Sequence, residues 1–238
     1  MNESIVIIPT YNEIENIEKM VQVVMELPQV FDILFIDDNS PDGTAAQINM
    51  EIEKYPNRIF LEQRVGKLGL GTAYIHGFKW ALLKGYDFIF EMDCDFSHNP
   101  QDLVNLYQAC KNGADVSIGS RYVSGGKVRN WPVGRILMSY FASVYVRLVL
   151  FLNVKDTTAG FKCYRRKVLE SIDFNKIEFK GYAFQICMKY AAVQLGFKIK
   201  EVPITFIDRL YGESKMSSGI FKEAFFGVWK MKKTTFSK

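Results

Sequence analysis

The chain has 238 residues, of which 48% are apolar and 24% charged, and a formal net charge of +4. This composition supports a sizeable core and excludes a disordered, collagenous or coiled-coil chain, and the length fits one α/β domain or two small ones. The charge is divided unevenly between the two halves of the chain. Residues 1–120 contain 8 Lys and Arg against 18 Asp and Glu, net −10, whereas residues 121–238 contain 22 against 8, net +14. An acidic half joined to a basic half indicates two different ligands.

Short apolar runs alternate with longer amphipathic stretches through the first half, which is typical of repeated βα units. The first four residues lack the basic and apolar regions of a signal peptide, so export is not expected. The pattern predicts a mostly parallel sheet covered by helices on both faces, an α/β fold. Strands are predicted over 5–8, 31–36, 58–61, 88–92 and 115–118, and helices over 12–27 (with Asn12 as N-cap), 44–54, 72–84 and 99–112.

The second half is less regular and contains two amphipathic segments. Residues 133–153 are apolar and aromatic, but Arg135 and Arg147 interrupt them, so their apolar runs fall short of the ~20 residues of a membrane-spanning helix. They fit either a core helix or a helix that lies in a membrane interface. Residues 220–233 place apolar side chains at helical spacing and end in several lysines, as in a helix that docks on a membrane surface or on a partner.

An acidic motif, Asp93-Cys94-Asp95, directly follows the predicted strand 88–92. Ligands of open parallel sheets bind at the carboxyl ends of the strands, so this position is informative. Two carboxylates this close repel each other without a cation, and hard oxygen ligands suit Mg²⁺ or Mn²⁺; Ser97 could supply a third oxygen. The alternative is a turn with two solvated aspartates. A divalent ion with few protein ligands completes its shell with phosphates and water, which indicates a nucleotide.

Cationic residues of the second half are candidates for holding phosphates. Arg121 follows a predicted strand, Arg135 and Ser139 stand four residues apart on a predicted helix, and Arg209 and Lys215 bracket a polar loop. Arginine binds phosphate through two parallel N–H groups and lysine through a point charge. Opposite an acidic metal site, these groups make sense as phosphate ligands.

Three other kinds of site are not predicted. The loop 66–72 contains glycines and Lys67, but its order matches neither a P-loop nor G-x-G-x-x-G. We expect a flexible loop that flanks the site, with Lys67 near a phosphate. The four cysteines lie far apart and there are two histidines, which disfavours disulfides and structural zinc. No nucleic-acid-binding motif is present, and the net charge is modest.

Six stretches of the chain, in this order, resemble the dolichol-phosphate mannosyltransferase group of the family 2 glycosyltransferases. The first two are shared by many family 2 enzymes, and the last is the most specific. The stretches are Ile8-Pro9-Thr10-Tyr11-Asn12-Glu13, Ile36-Asp37-Asp38-Asn39-Ser40-Pro41-Asp42-Gly43-Thr44, Met92-Asp93-Cys94-Asp95-Phe96-Ser97-His98, Gly119-Ser120-Arg121-Tyr122, Asp156-Thr157-Thr158-Ala159-Gly160-Phe161 and Asp208-Arg209-Leu210-Tyr211-Gly212-Glu213-Ser214-Lys215.

The resemblance implies a GT-A fold and inverting transfer of mannose from GDP-mannose to a polyprenyl (dolichyl) phosphate, with Mg²⁺ or Mn²⁺ as cofactor. It also implies an enzyme attached peripherally to the cytoplasmic face of a membrane, with or without a separate membrane subunit. By resemblance, the donor is held by Pro9, Tyr11, Glu13, Ile36, Asp38, Asp93, Cys94, Asp95, Arg209 and Lys215, the metal by Asp93, Asp95 and Ser97, and the acceptor phosphate by Arg121, Arg135 and Ser139. Asp95, Arg121 and Arg135 are the expected catalytic residues.

These expectations divide the chain into a catalytic domain over 1–217 and a basic amphipathic helix over 218–238. Within the domain, 1–120 would hold the nucleotide sugar and metal, and 121–217 the acceptor, with an interface helix at about 133–153. A lipid phosphate is largely dianionic at neutral pH, so it needs positioning more than a general base, and one in-line displacement gives a β-linked product. The alternatives are a polyprenyl-phosphate glucosyltransferase that uses UDP-glucose, another family 2 sugar transferase, or a noncatalytic protein that binds a nucleotide sugar or serves as a membrane scaffold.

Overall fold

The computed structural model describes residues 2–208 and 218–236, and in these ranges it contains nine strands and eight α-helices. The strands are β1 (Ser4–Thr10), β2 (Asp32–Asp37), β3 (Ile59–Gln63), β4 (Phe88–Glu91), β5 (Val116–Ser120), β6 (Lys127–Arg129), β7 (Lys162–Arg165), β8 (Ile199–Pro203) and β9 (Thr205–Ile207). The helices are α1 (Ile14–Met25), α2 (Thr44–Lys54), α3 (Leu70–Lys84), α4 (Asp102–Lys111), α5 (Val133–Leu150), α6 (Arg166–Ser171), α7 (Tyr182–Gln194) and α8 (Ser218–Lys233).

Seven strands form one sheet in the order β3-β2-β1-β4-β7-β5-β8, and β6 pairs with β9 in a second, two-stranded sheet. Neighbouring strands run parallel except for β7, which is antiparallel to both β4 and β5. The prediction of a mostly parallel sheet is therefore confirmed. Because β7 runs backwards, the segment 156–160 that precedes it reaches the edge where β4 and β5 end.

Two apolar clusters cover the two faces of the large sheet. Along β1, Ile5 and Ile7 belong to one cluster and Val6 and Ile8 to the other, and all four side chains are fully buried. Burial on both faces explains why this central parallel strand is a continuous apolar run. The first cluster includes residues of α3 and α5–α8, and the second includes residues of α1, α2 and α4.

The start of α1 differs from the prediction. Asn12 adopts a left-handed conformation, with φ 57°, and the helix begins after Glu13 without a side-chain cap of its own. Instead, the backbone N–H of Glu13 donates to Thr44 Oγ1 at 3.0 Å and that of Ile14 donates to Asp42 Oδ2 at 3.2 Å. The prediction that Asn12 is the N-cap is wrong, because side chains from the turn after β2 accept these N–H groups.

Candidate active site

A cavity of about 1000 Å³ runs along the carboxyl edge of the large sheet. Ile36, on β2, does not line the cavity, because its side chain is fully buried in the first apolar cluster. Arg209 and Lys215 lie outside the described residues. The other predicted site residues all line the cavity: Pro9, Tyr11, Glu13, Asp38, Asp93, Cys94, Asp95, Ser97, Arg121, Arg135 and Ser139.

At one end of the cavity, Asp38 forms an ion pair that the sequence did not reveal. Arg64 Nε donates to Asp38 Oδ1 at 2.6 Å, and Arg64 Nη1 donates to Thr72 Oγ1 at 2.8 Å, so the guanidinium links β2 to the start of α3. Burial raises the pKa of Asp38 above its usual value, and Arg64 opposes that rise. Nearby, Lys67 Nζ lies 4.8 Å from the ring centre of Tyr11. This end therefore offers an aromatic face, a carboxylate and the ammonium group of Lys67 to one ligand.

The acidic motif forms a tight turn after β4. Phe96 is left-handed, with φ 58°, and the backbone N–H of Ser97 donates to Asp95 Oδ1 at 3.0 Å. The backbone N–H of Asp93 donates to His98 Nδ1 at 3.3 Å. Because Nδ1 accepts this bond, the hydrogen-bond network assigns the neutral imidazole its proton on Nε2. His98 therefore fixes the backbone of Asp93, a role that the sequence did not reveal.

The oxygen atoms of this turn fit a hard divalent cation. Asp93 and Asp95 both line the cavity, and so does Ser97. Within the described residues, no group of three His, Cys, Asp or Glu side chains could hold a metal ion by itself. An ion bound by two carboxylates needs further oxygen ligands from a diphosphate and water, as Mg²⁺ commonly does.

Arg121 is held rigidly at the middle of the cavity. Its Nε and Nη2 donate to Asp156 Oδ2 and Oδ1, each at 2.7 Å, and Nη2 also donates to Thr158 Oγ1 at 2.8 Å. The side chain of Arg121 is 8% exposed and that of Asp156 is fully buried. Burial alone raises the pKa of Asp156, but the charge and hydrogen bonds of Arg121 outweigh it and leave this pKa below 3.8. The pair therefore carries no net charge.

Arg135 and Ser139 lie one turn apart on α5 and both line the cavity, as their spacing predicts. The guanidinium of Arg135 lies 4.0 Å from the ring centre of Trp131, and its Nη1 lies 3.2 Å from both carboxylate oxygens of Asp208. The side chains of Arg135 and Asp208 are 24% and 29% exposed. Solvent weakens such a pair, so Arg135 can turn to an incoming anion more readily than Arg121 can.

The far end of the cavity is apolar, and its walls come from α5, α7 and α8. Tyr145 stacks on Phe225 with ring centres 4.8 Å apart, which joins α5 to α8. Among the described residues, the carboxylates that line the cavity are Glu13, Asp38, Asp93 and Asp95, and none of the four lies on these helices. The apolar lining consists of Met138, Phe141, Ala142, Tyr145, Val146, Ile186 and Phe225.

Known proteins resemble this chain in sequence and in fold. The family model "Glycosyl transferase family 2" matches residues 5–173. Polyprenol monophosphomannose synthase of Mycolicibacterium smegmatis is 48% identical over 226 residues, which cover 94% of this chain and 85% of that protein. Undecaprenyl-phosphate mannosyltransferase of Micrococcus luteus is 46% identical over 222 residues, which cover 93% of this chain and 90% of that protein.

Among solved structures, glucosyl-3-phosphoglycerate synthase from Mycobacterium tuberculosis is similar at a TM-score of 0.70 and 16% identity, over 97% of this chain and 80% of that one. That crystal structure contains Mn²⁺, UDP and glucosyl-3-phosphoglycerate. A second structure of the same enzyme, with Mg²⁺ and UDP, also gives a TM-score of 0.70. At this identity the likeness concerns the fold alone, and it confirms the predicted GT-A fold.

Proposed function

The chain belongs to glycosyl transferase family 2 and is a glycosyltransferase, and on this basis we propose that it transfers mannose from GDP-mannose to a polyprenyl phosphate. The products would be β-mannosyl phosphoryl polyprenol and GDP. The names of the two bacterial relatives support mannose as the sugar and a polyprenyl phosphate as the acceptor. The observation that carries the proposal is the division of one cavity into a carboxylate-lined end and an apolar end, with Arg121 and Arg135 lining it as well.

The acceptor end favours a lipid phosphate over a sugar hydroxyl. A hydroxyl acceptor needs a general base. In the described part of the chain, no Asp or Glu of α5, α7 or α8 lines the cavity, and the carboxylate beside Arg135, that of Asp208, is engaged in an ion pair with it. A phosphate monoester is largely dianionic at neutral pH and is itself the nucleophile. Arg135 and Ser139 would bind its oxygens, Arg121 would orient it, and the apolar walls would contact the isoprenoid chain.

The donor end suits a nucleoside diphosphate. Tyr11 and Asp38 would contact the nucleoside, and Glu13 lies within the same end of the cavity. Asp93 and Asp95, with Ser97 beside them, would hold Mg²⁺ or Mn²⁺, which when bound neutralises the diphosphate and stabilises the departing GDP. The roles of Arg209 and Lys215 at the donor phosphates stay predictions, because both residues lie outside the described ranges.

The reaction would be one in-line displacement. A phosphate oxygen of the acceptor forms a bond to the anomeric carbon while the bond from that carbon to the GDP oxygen breaks, and that electron pair leaves with GDP. Arg135 would hold the nucleophile opposite the leaving group, and the rigid Arg121–Asp156 pair would keep this alignment fixed. Attack from the side opposite GDP inverts the anomeric configuration, so the mannose would be β-linked.

The proposal is tested by incubating the protein with Mg²⁺, a polyprenyl phosphate and one radiolabelled donor: GDP-mannose, UDP-glucose or UDP-N-acetylglucosamine. We expect a lipid-extractable labelled product from GDP-mannose. A labelled lipid from UDP-glucose alone would support the glucosyltransferase alternative instead. Absence of a lipid-linked product from GDP-mannose would contradict the proposed function.

We further propose that α5 and α8 dock the enzyme peripherally on the cytoplasmic face of a membrane. By length and composition, α5 could span a membrane: it has 18 residues, a mean hydropathy of 1.4, and 22% of it is buried. However, Val146 and Leu150 pack into the core, and Arg135 near its start lines the cavity. The opposite side of the same helix is apolar and exposed, which favours a helix lying at the surface of a bilayer.

The exposed surface formed by α5, Phe151 and α8 combines apolar side chains with lysines. Leu148 is 70% exposed and Phe151 80%, and Trp229 on α8 is 51% exposed. Lys232 Nζ lies 5.2 Å from the ring centre of Phe151 and 5.5 Å from that of Trp229. Aromatic rings and lysines side by side suit the headgroup region of an anionic membrane.

Replacing Leu148 and Phe151 together by Gln is expected to weaken binding to anionic phospholipid vesicles about tenfold or more, because each side chain would lose its transfer into the apolar layer. Cosedimentation with vesicles measures the binding. Activity toward a short, soluble polyprenyl phosphate should stay at the wild-type level. Leu83→Gln is the matched control, since Leu83 is an equally exposed apolar residue, 89% accessible, on α3 and not on α5 or α8. Wild-type vesicle binding by the double variant would argue against this surface.

Arg135→Ala is expected to raise KM for the polyprenyl phosphate by about 10- to 100-fold, the range of one charge-assisted hydrogen bond. The Kd of GDP-mannose should change much less, because Arg135 lies on α5 and pairs with Asp208, and not with Asp93 or Asp95. Steady-state kinetics and equilibrium binding measure the two effects. Arg166→Ala on α6 is the control, since Arg166 forms an ion pair with Glu170 at the protein surface. If the Kd of GDP-mannose rose by as much as the KM for the polyprenyl phosphate, Arg135 would belong to the donor site.

A further inference from the structure

A buried polar network reaches the cavity through Gln185, and the reaction described above does not use it. Its members are Glu91 on β4, Lys162 on β7, and Gln185 and Lys189 on α7, and each is at most 3% exposed. Lys162 Nζ lies 3.1 Å from Glu91 Oε1, and these two residues face each other in the register of β4 and β7. Buried charges are costly unless they are paired, so the position of each group is strongly constrained.

The amide of Gln185 has one orientation in this network. Its Nε2 donates to Glu91 Oε2 at 2.8 Å, and its Oε1 accepts a hydrogen bond from Lys162 Nζ. An ammonium group cannot accept and a carboxylate cannot donate, so turning the amide over would break both bonds. The fixed amide keeps a second N–H and a second lone pair for another partner.

Gly160 lies beside this amide at the wall of the cavity. Both Gln185 and Gly160 line the cavity, and a Cβ added to Gly160 would lie 3.5 Å from Gln185 Nε2. The glycine stands on a fixed loop, because Lys189 Nζ donates to the carbonyl oxygens of Thr157 at 3.0 Å and Ala159 at 2.6 Å. The absence of a side chain at Gly160 therefore leaves the edge of the amide accessible from the cavity.

We propose that Gln185 hydrogen-bonds to hydroxyl groups of the transferred sugar, and that Gly160 is needed to expose it. The amide lies next to Glu91, two residues before Asp93, and next to the loop that carries Asp156 and Thr158, the partners of Arg121. It is thus placed between the donor carboxylates and the acceptor arginine, where the sugar must lie during transfer. An amide both donates and accepts, as sugar hydroxyls do. The identity of the sugar rests on the proposed function.

Two variants test this inference. Gly160→Ala adds a methyl group at ordinary contact distance and without a left-handed backbone, so the fold should be kept while the amide is covered. Gln185→Met keeps the shape and leaves the Lys162–Glu91 pair in place. For both, kcat/KM for GDP-mannose should fall about tenfold or more, as expected when a buried polar contact to substrate is lost. The Kd of GDP, which has no sugar, should stay within about twofold of the wild-type value.

Gly134→Ala is the control, because a Cβ there meets nothing within 4 Å. Wild-type kcat/KM in Gly160→Ala would overturn the inference while leaving the proposed function intact. Equal losses in GDP and GDP-mannose affinity would also overturn it, since they would mean a structural role. If the wild-type protein transfers a different sugar, the proposed function fails. The role of Gln185 is then decided by measuring, in the same variants, kcat/KM for that donor and the Kd of its nucleoside diphosphate.

Discussion

Replacing Asp95 by alanine is expected to lower kcat/KM for sugar transfer by about a thousandfold or more, even at saturating Mg²⁺. Asp95 is one of two carboxylates in the turn after β4, and its removal leaves Asp93 without the second charge that a divalent ion needs. Initial rates with radiolabelled GDP-mannose, measured over a range of Mg²⁺ and Mn²⁺ concentrations, give the size of the loss.

Asp95→Asn separates charge from local structure. The amide oxygen can still accept the N–H of Ser97, which Asp95 Oδ1 accepts at 3.0 Å, so the turn should persist while the negative charge is gone. Activity should be lost as completely as in the alanine variant. Asp87→Ala, at an exposed position just before β4, is the matched control and should behave as wild type. Metal-dependent transfer that survives in both Asp95 variants would contradict the assignment.

Local patterns predicted the first half of the fold well and, in the second half, the helices α5 and α8, but they missed the strands there. Strands β1, β2, β4 and β5 are short and buried, and β3 begins with an apolar run, so the pattern of apolar residues and flanking turns indicates all five clearly. By contrast, β7 begins with Lys162, which local patterns do not assign to a buried strand. Its charge is acceptable there because Glu91 lies opposite it on β4. The strands β6 and β9 have three residues each, too few for a periodic signal.

The site shows the same division between local and long-range information. The residues that project from strand ends could be predicted, because their positions in the chain determine which edge of the sheet they reach. Their partners could not, since Arg64 meets Asp38 over 26 residues and Arg121 meets Asp156 over 35. Asp156 stands within a stretch that resembles the family, yet nothing in its local sequence indicates that it is the counter-ion of Arg121.

Arg121→Lys is expected to lower kcat/KM for the polyprenyl phosphate by about a hundredfold, with the Kd of GDP nearly unchanged. Lysine keeps the charge but lacks the fork that bonds Asp156 twice and Thr158 once. The ammonium group would therefore lose the fixed position that aligns the acceptor. Kinetics with varied acceptor, together with GDP binding, measure the two effects. A parallel loss of GDP affinity would show that Arg121 serves the donor instead.

Asp156, the ion-pair partner of Arg121, is expected to make the free energy of unfolding depend on pH in the acid range. Asp156→Asn leaves the buried guanidinium unpaired, so unfolding free energy at neutral pH should fall by about 3–5 kcal/mol. Because the folded pKa of Asp156 lies below its ordinary value of 3.8, the pair contributes fully above that value and is lost as the pH falls through the folded pKa. The difference between wild type and variant, measured by urea unfolding, should therefore be constant from pH 7 to about 5 and shrink in stronger acid. A difference that persists unchanged below pH 3 would mean that Asp156 acts through packing and not through its charge.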